Sequence, residues 1–283
     1  MKIYIPNNSN TTIGGGFTFQ RNFIKGIKGK AEFVNNWKEC DIVFVFGITT
    51  MDKKEVHGAV KAGKKLVLRV DNIPRRSRNK RQSPAERLRE FGLLADQVIY
   101  QSKWAEGYAG YFAGQGIVIM NGVDTEIFNG IGRQSDGLTY LYVNYNDNPN
   151  KRFDEALYWF DMHWRKDNDS HLIVAGNAPR IYLDHPEYNW DLPTDGEVEY
   201  VGVQNTPEEM ARLYKKCDML LYPSFAEACP NVVAEAMACG CFPIHLNDLG
   251  GALEIKYKHY KEPYTIEQMA DEYLKVFEEL LAG

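Results

Sequence analysis

Ten short apolar runs, most of them separated by stretches of helical periodicity, limit how this chain folds more than any other feature. The first five are KIYI (2–5), DIVFVF (41–46), KLVLRV (65–70), QVIY (97–100) and GIVIM (116–120). Candidate helices stand between them: FTFQRNFIKGI after the first run, KKEVHGAVKAG before the third, ERLREFGLLA before the fourth and KWAEGYAGYFAG before the fifth. Strands rich in β-branched residues and alternating with helices imply a parallel sheet covered on both faces. The glycine-rich polar stretch GIGRQSDG (130–137) then reads as a linker. After it the rhythm restarts with TYLYV (139–143), HLIVA (171–175), VEYVGV (198–203), MLLYP (219–223) and FPIHL (242–246).

The expected architecture is α/β, with two Rossmann-like parallel-sheet domains at 1–132 and 133–262. Residues 263–283 form an amphipathic helix that crosses back to the first domain. A length of 283 residues with 44% apolar and 25% charged residues suits two ordinary globular domains. Two such domains in tandem leave a cleft, where ligands commonly bind. Thr206-Pro207-Glu208-Glu209 is a helix-start signal.

The net charge of −5 argues against a nucleic-acid partner. Five cysteines in a chain of this size point to buried thiols and a reducing compartment rather than a disulfide scaffold. Cys239 and Cys241 lack the spacing of a zinc knuckle, so no metal site is expected. The start, MKIYIPNNSN, lacks the apolar run of a signal peptide, and no stretch has the length of a membrane span. The expectation is a cytoplasmic protein that contacts membranes at most peripherally.

The segment SFAEACPNVVAEAMACGC (224–241) carries the most chemistry. MLLYP ends a buried strand, Pro230 suits the first turn of a helix, and Gly240 suits the position past its end. Glu227 therefore lies in a loop and Glu235 on a helix. In one unbroken helix they would stand about 80° apart and ~12 Å along the axis, too far to cooperate directly. Across a loop they can bracket a ligand at the helix N-terminus, which favours phosphate. Two carboxylates beside a phosphate make sense if hydroxyl-rich groups flank it, as in a nucleotide sugar: ribose, diphosphate, hexose.

EACPNVVAEAMACG resembles the donor-binding signature of retaining glycosyltransferases of family 4, which have the GT-B fold. The resemblance implies that Glu227 faces the donor sugar, that Glu235 holds the ribose hydroxyls, and that Asn231 and Val232 offer backbone N–H groups to the diphosphate. IGGGFTFQRNF (13–23) is similar to the family's N-terminal glycine loop, which implies donor-phosphate contacts at Gly14, Gly15 and Gly16. A mobile turn is the plain alternative. NGVDTEIF (121–128) and GGALEI (250–255) also match; the first is expected to shape a domain edge rather than perform chemistry.

In TYLYVNYNDNPNKRFDEAL (139–157) the family's diphosphate lysine has its counterpart in Lys151. Its arginine does not: Tyr145 stands there, and Arg152 is the nearest substitute. The family's histidine near the donor sugar is also missing from RVDNIP (69–74), leaving Asp71 or Asn72 for that role. Arg75, Arg76, Arg78, Lys80 and Arg81 follow with no acid among them. A solvated loop is the first reading of such a run. The functional one is contact with a donor diphosphate, an anionic acceptor or a membrane surface.

The implied activity is transfer of a hexose from a UDP- or GDP-sugar to a hydroxyl acceptor, with retention and without a cofactor or divalent metal. None of the candidate loops carries an Asp-x-Asp. A non-catalytic nucleotide-sugar binder, or an epimerase or phosphorylase on the same fold, are the alternatives.

Overall fold

A computed structural model describes residues 1–6, 14–71, 84–134, 137–145, 149–166, 169–177 and 197–283. The chain divides into two compact units. The first comprises Met1–Gly122, Glu227–Pro230 and Tyr264–Gly283; the second comprises Val123–Ala226 and Asn231–Pro263.

The first unit holds a six-stranded parallel sheet in the order β2-β1-β3-β4-β5-β6. The strands are β1 (Lys2–Tyr4), β2 (Glu32–Val34), β3 (Ile42–Val45), β4 (Lys65–Val70), β5 (Gln97–Tyr100) and β6 (Ile117–Val118). All but β2 fall on the apolar runs of the sequence. β2 is a three-residue edge strand that opens on exposed Glu32, too short and too polar to show as a run.

The IVFV of β3 shows why parallel strands read as unbroken apolar runs. Ile42 and Phe44 face one core, Val43 and Val45 the other, and all four are buried. One core packs Phe44 against α1 (Gly15–Gly26) and the terminal helix α9 (Ile266–Ala282), through Phe19, Phe23, Tyr273 and Phe277. The other takes Val56 and Ala59 of α2 (Lys53–Lys61), Leu88 and Phe91 of α3 (Pro84–Leu94), and Ala105 and Ala109 of α4 (Lys103–Ala113).

α9 buries Ile266, Met269, Ala270, Tyr273, Leu274 and Phe277, the stripe expected of an amphipathic helix. A capping box between Thr265 and Gln268 starts it. Gly122 makes this docking possible. A Cβ there would lie 2.3 Å from the Thr265 carbonyl oxygen, and its N–H donates to Met269 Sδ at 3.2 Å.

The second unit holds a five-stranded parallel sheet in the order β11-β10-β7-β8-β9. Its strands are β7 (Thr139–Asn144), β8 (His171–Gly176), β9 (Val198–Gly202), β10 (Met219–Leu221) and β11 (Phe242–Ile244). Its described helices are α5 (Phe153–Trp164), α6 (Pro207–Lys216), α7 (Asn231–Ala238) and α8 (Ala252–Lys258). α6 begins as its sequence demands, with Thr206 and Glu209 forming a capping box and proline in the first turn. Tyr142, Phe153, Leu157, Phe160, Val174 and Leu221 build the core between α5 and the sheet.

Beside β11 a histidine pair carries a pH dependence. His163 Nε2 and His245 Nε2 are 2.9 Å apart, one donating to the other, and Trp159 stacks on His245 with ring centroids 4.0 Å apart. Burial, with His163 beside it, pushes His245 down to about 4, and burial also lowers His163. The unfolded chain therefore binds protons more readily than the native one below about pH 6.5. This stabilisation is complete above that pH and is lost as pH falls toward 4. With solvent screening allowed for at a partly buried pair, the loss is on the order of 1 kcal/mol. Urea midpoints measured from pH 7 to pH 4.5 should decline, and His245→Asn, which tolerates the left-handed backbone at this position (φ 53°), should flatten that slope. An unchanged slope would remove the histidines from the account.

Candidate active site

In a parallel α/β sheet, ligands sit at the carboxyl ends of the strands where the strand order reverses. In the first unit that point lies between β1 and β3, and in the second between β7 and β10. The sequence-predicted residues within the described segments lie at or near these edges.

In the first unit the glycine run opens α1. Gly14 precedes the helix at φ 141°, ψ 152°, a backbone that only glycine adopts readily. Gly15 and Gly16 form the first helical turn rather than an open loop. Gly47 follows β3, and Asp71 follows β4. The Asp71 carboxylate bears directly on both. A Cβ on Gly16 would stand 3.6 Å from Oδ2, and one on Gly47 would meet all three carboxylate atoms at 2.7–2.8 Å. The structure thus brings Asp71 to the α1 N-terminus, where a carboxylate is favoured, and it needs glycine at 47 to fit. Nothing in the sequence around Gly47 announces that. Asn72, Arg75, Arg76, Arg78 and the rest of the basic run lie outside the described residues.

In the second unit Lys151 sits in a short 3-10 turn, Pro149–Lys151, between β7 and α5. Its carbonyl accepts the Tyr142 hydroxyl at 3.1 Å, and its ammonium stands 5.7 Å from the centre of the Tyr222 ring. Arg152 is the N-cap of α5, in a left-handed conformation at φ 52°, ψ 54°. A cation at a helix start needs an anion, and this one has protein anions. Its guanidinium bonds Glu155 at 2.6 Å and lies 3.9 Å from Asp154. Tyr145 follows β7 and is half exposed.

The loop after β10 is pinned from both sides. Phe225 N–H donates to the Asn150 carbonyl at 3.0 Å, and Ala226 N–H to that of Leu249. Ala226 has φ 56°. Arg152, Ala226 and His245 are the described non-glycine residues with positive φ, and they follow β7, β10 and β11, three neighbouring strands. Backbone strain of this kind gathers at ligand-binding edges.

α7 then starts at Asn231, with Val232 in its first turn and Glu235 one turn on. Gly240, at φ 85°, closes the helix end as its place in the sequence demands. Glu235 accepts a hydrogen bond from the hydroxyl of Tyr214 on α6 at 3.3 Å, a partner that sequence spacing does not reveal. Tyr214 is fully buried, and burial together with Glu235 holds its hydroxyl well above the ordinary tyrosine range. It is therefore a donor that orients the carboxylate.

Glu227 differs from the other signature residues. The peptide Glu227–Pro230 is part of the first unit, while Asn231, Val232 and Glu235 are part of the second. Ala228 packs into the first unit's α2–α4 core, and Cys229 is bonded to Asn121. All five cysteines are buried thiols. Among the described residues no three histidine, cysteine or acidic groups are placed to hold a metal ion, and no helix is long and apolar enough to cross a membrane.

Residues 123–282 match the profile of the family described as glycosyl transferases group 1. No curated protein matches the chain. Solved structures do. HepE from Anabaena, crystallised with UDP and glucose, is 16% identical over 99% of this chain and 90% of its own, with a TM-score of 0.66. AviGT4, a glycosyltransferase involved in avilamycin A biosynthesis, is 14% identical over 100% and 98%, with a TM-score of 0.67. Sucrose-phosphate synthase from Thermosynechococcus elongatus is 15% identical over 99% and 96%, with a TM-score of 0.61. At these identities the likeness establishes the fold, two parallel-sheet α/β units of the GT-B type. With more than half of its length matched by the profile, the chain belongs to the group 1 glycosyl transferases.

Proposed function

We propose that the chain is a retaining hexosyltransferase of family 4, which moves a hexose from a UDP- or GDP-sugar to a hydroxyl acceptor without a divalent metal or other cofactor. One observation carries the reading. In the second unit the Lys151 turn follows β7, and the start of α7 with a Glu235 oriented by Tyr214 follows β10, the two strands that flank the switch point. That edge has the groups a nucleoside diphosphate needs: amides at a helix start for phosphate, a cation for charge, and an oriented carboxylate for ribose hydroxyls. HepE, crystallised with UDP-glucose, supports UDP as the first donor base to try.

In the proposed reaction the bond from the anomeric carbon to the donor phosphate breaks and a bond to the acceptor oxygen forms on the same face. The departing phosphate takes the acceptor's proton. Lys151 and the amides of Asn231 and Val232 stabilise the charge that grows on the phosphate. Such preorganised electrostatics is commonly the largest catalytic term. Arg152, already paired with Glu155 and Asp154, contributes less. The family resemblance adds Gly14, Gly15 and Gly16 as donor-phosphate contacts and Asp71 or Asn72 in place of the family's histidine. Glu227 faces the sugar and stabilises its developing positive charge.

The test is a calorimetric and thermal-shift screen of UDP, GDP, ADP and their hexose conjugates, followed by a donor-hydrolysis assay with and without EDTA. Binding of one nucleoside diphosphate and its sugar, with turnover unchanged by EDTA, is the expected result. Stabilisation by no member of the screen would defeat the donor assignment. Loss of turnover in EDTA would replace the metal-free mechanism with a metal-assisted one.

A further inference from the structure

Three features that the donor site leaves aside meet inside the first unit: Arg69 of β4, Asn121 after β6, and Cys229 of the signature. Arg69 is only 1% exposed. Its guanidinium donates to the Phe46 carbonyl at 3.1 Å and to Asn121 Oδ1 at 3.0 Å, and it lies 3.6 Å over the Phe19 ring. A guanidinium can only donate, so the oxygen of the Asn121 amide must face it. The Asn121 Nδ2 is thereby turned to the other side. There it is shared between the Cys229 carbonyl at 3.3 Å and Gln101 Oε1 at 3.5 Å. Gln101 is oriented in turn by donating to the Val70 carbonyl at 2.8 Å. The Asn121 backbone N–H donates to Cys229 Sγ at 3.2 Å.

Cys229 is thus gripped at two atoms, thiol and carbonyl, two residues after Glu227. Its thiol does more than fill space. Arg69 fixes the amide orientation on which the carbonyl contact depends. We propose that Arg69 and Asn121 are positioning residues for Glu227, holding the peptide that carries it so that its carboxylate is set before the donor arrives. The proposal rests on the hexosyltransferase reading. Within that reading it separates two tasks. Donor binding belongs to the second unit's edge, and alignment of Glu227 belongs to a polar clamp in the first.

Asn121→Asp tests this directly. The new carboxylate keeps an acceptor for Arg69, now as an ion pair, and keeps the side-chain volume. It loses the donor to the Cys229 carbonyl and sets an oxygen against it. The variant should melt near the parent and keep its donor KM within about twofold. Its kcat should fall about 10²-fold, since a small misplacement of a reacting group has effects of that size. Amide hydrogen exchange in residues 225–230 should quicken. Asn121→Ala, which strips Arg69 of its partner as well, should lose both stability and turnover.

If Asn121→Asp does not fold, Cys229→Ala carries the test. It removes the thiol acceptor alone and should lower kcat several-fold at unchanged donor KM. A folded Asn121→Asp with kcat within twofold of the parent and unaltered exchange overturns the proposal. So does a variant whose only change is a raised donor KM. A parent that transfers sugar from no donor defeats the hexosyltransferase reading itself, and the positioning role falls with it.

Discussion

Lys151→Met is expected to lower kcat for sugar transfer by about 10²- to 10³-fold, equivalent to about 3–4 kcal/mol of transition-state stabilisation. The leaving nucleoside diphosphate gains negative charge as its bond to the sugar breaks. A cation aimed at that charge acts more strongly in the transition state than in the bound donor, so the loss appears in kcat rather than only in KM. The position is suited to the task. The Lys151 main chain is held by the Tyr142 hydroxyl, independently of its ammonium. Methionine retains most of the apolar stem, so the melting temperature should barely move. Arg152→Met should cost much less turnover, because its guanidinium already bonds Glu155 and Asp154 in the first turn of α5. Rates are read at saturating donor. A Lys151→Met enzyme within tenfold of the parent would take the ammonium out of the mechanism.

Glu227→Gln should lower kcat by about 10²-fold while leaving donor affinity within about threefold, again because the charge it stabilises develops only in the transition state. Glutamine is nearly the same shape and keeps a carbonyl acceptor for a sugar hydroxyl, so binding survives while the negative charge is lost. Calorimetry on the variant gives the affinity, and single-turnover transfer gives the rate. Full turnover with intact binding would mean that Glu227 is not the stabilising group. The pair of variants also tests the proposed division of labour, in which Lys151 acts on the leaving group and Glu227 on the sugar.

Much of the fold is legible in the amino-acid sequence. The ten apolar runs coincide with ten of the eleven described strands, because strands covered on both faces must be apolar at consecutive positions. The helix limits at Thr206, Gly240 and Thr265 follow from local capping chemistry. β2 escapes because an edge strand of three residues carries no such run. The opening of α1 differs for another reason. The glycines suggest a loop, but Gly15 and Gly16 have open or ordinary surroundings at the Cβ position and continue into the helix, and only Gly14 takes up the special backbone.

The site divides the same way. Lys151, Asn231, Val232 and Glu235 are readable from one signature and one neighbouring loop, since each lies close in sequence to a strand end or helix start. Their partners are not. Tyr214 reaches Glu235 from another helix, Gly47 makes room for Asp71 from the end of another strand, and Asn121 reaches Cys229 while holding Arg69, 52 residues away.

By itself the sequence determined the two parallel α/β sheets and the helix limits, and it named the residues proposed to offer charge and amides to a donor. These depend on periodicity and on groups within a turn or two of each other. Only the tertiary structure decided which unit carries Glu227 and what orients Glu235. Those outcomes depend on hydrogen bonds and close approaches between segments far apart in the chain, and local sequence carries no record of them.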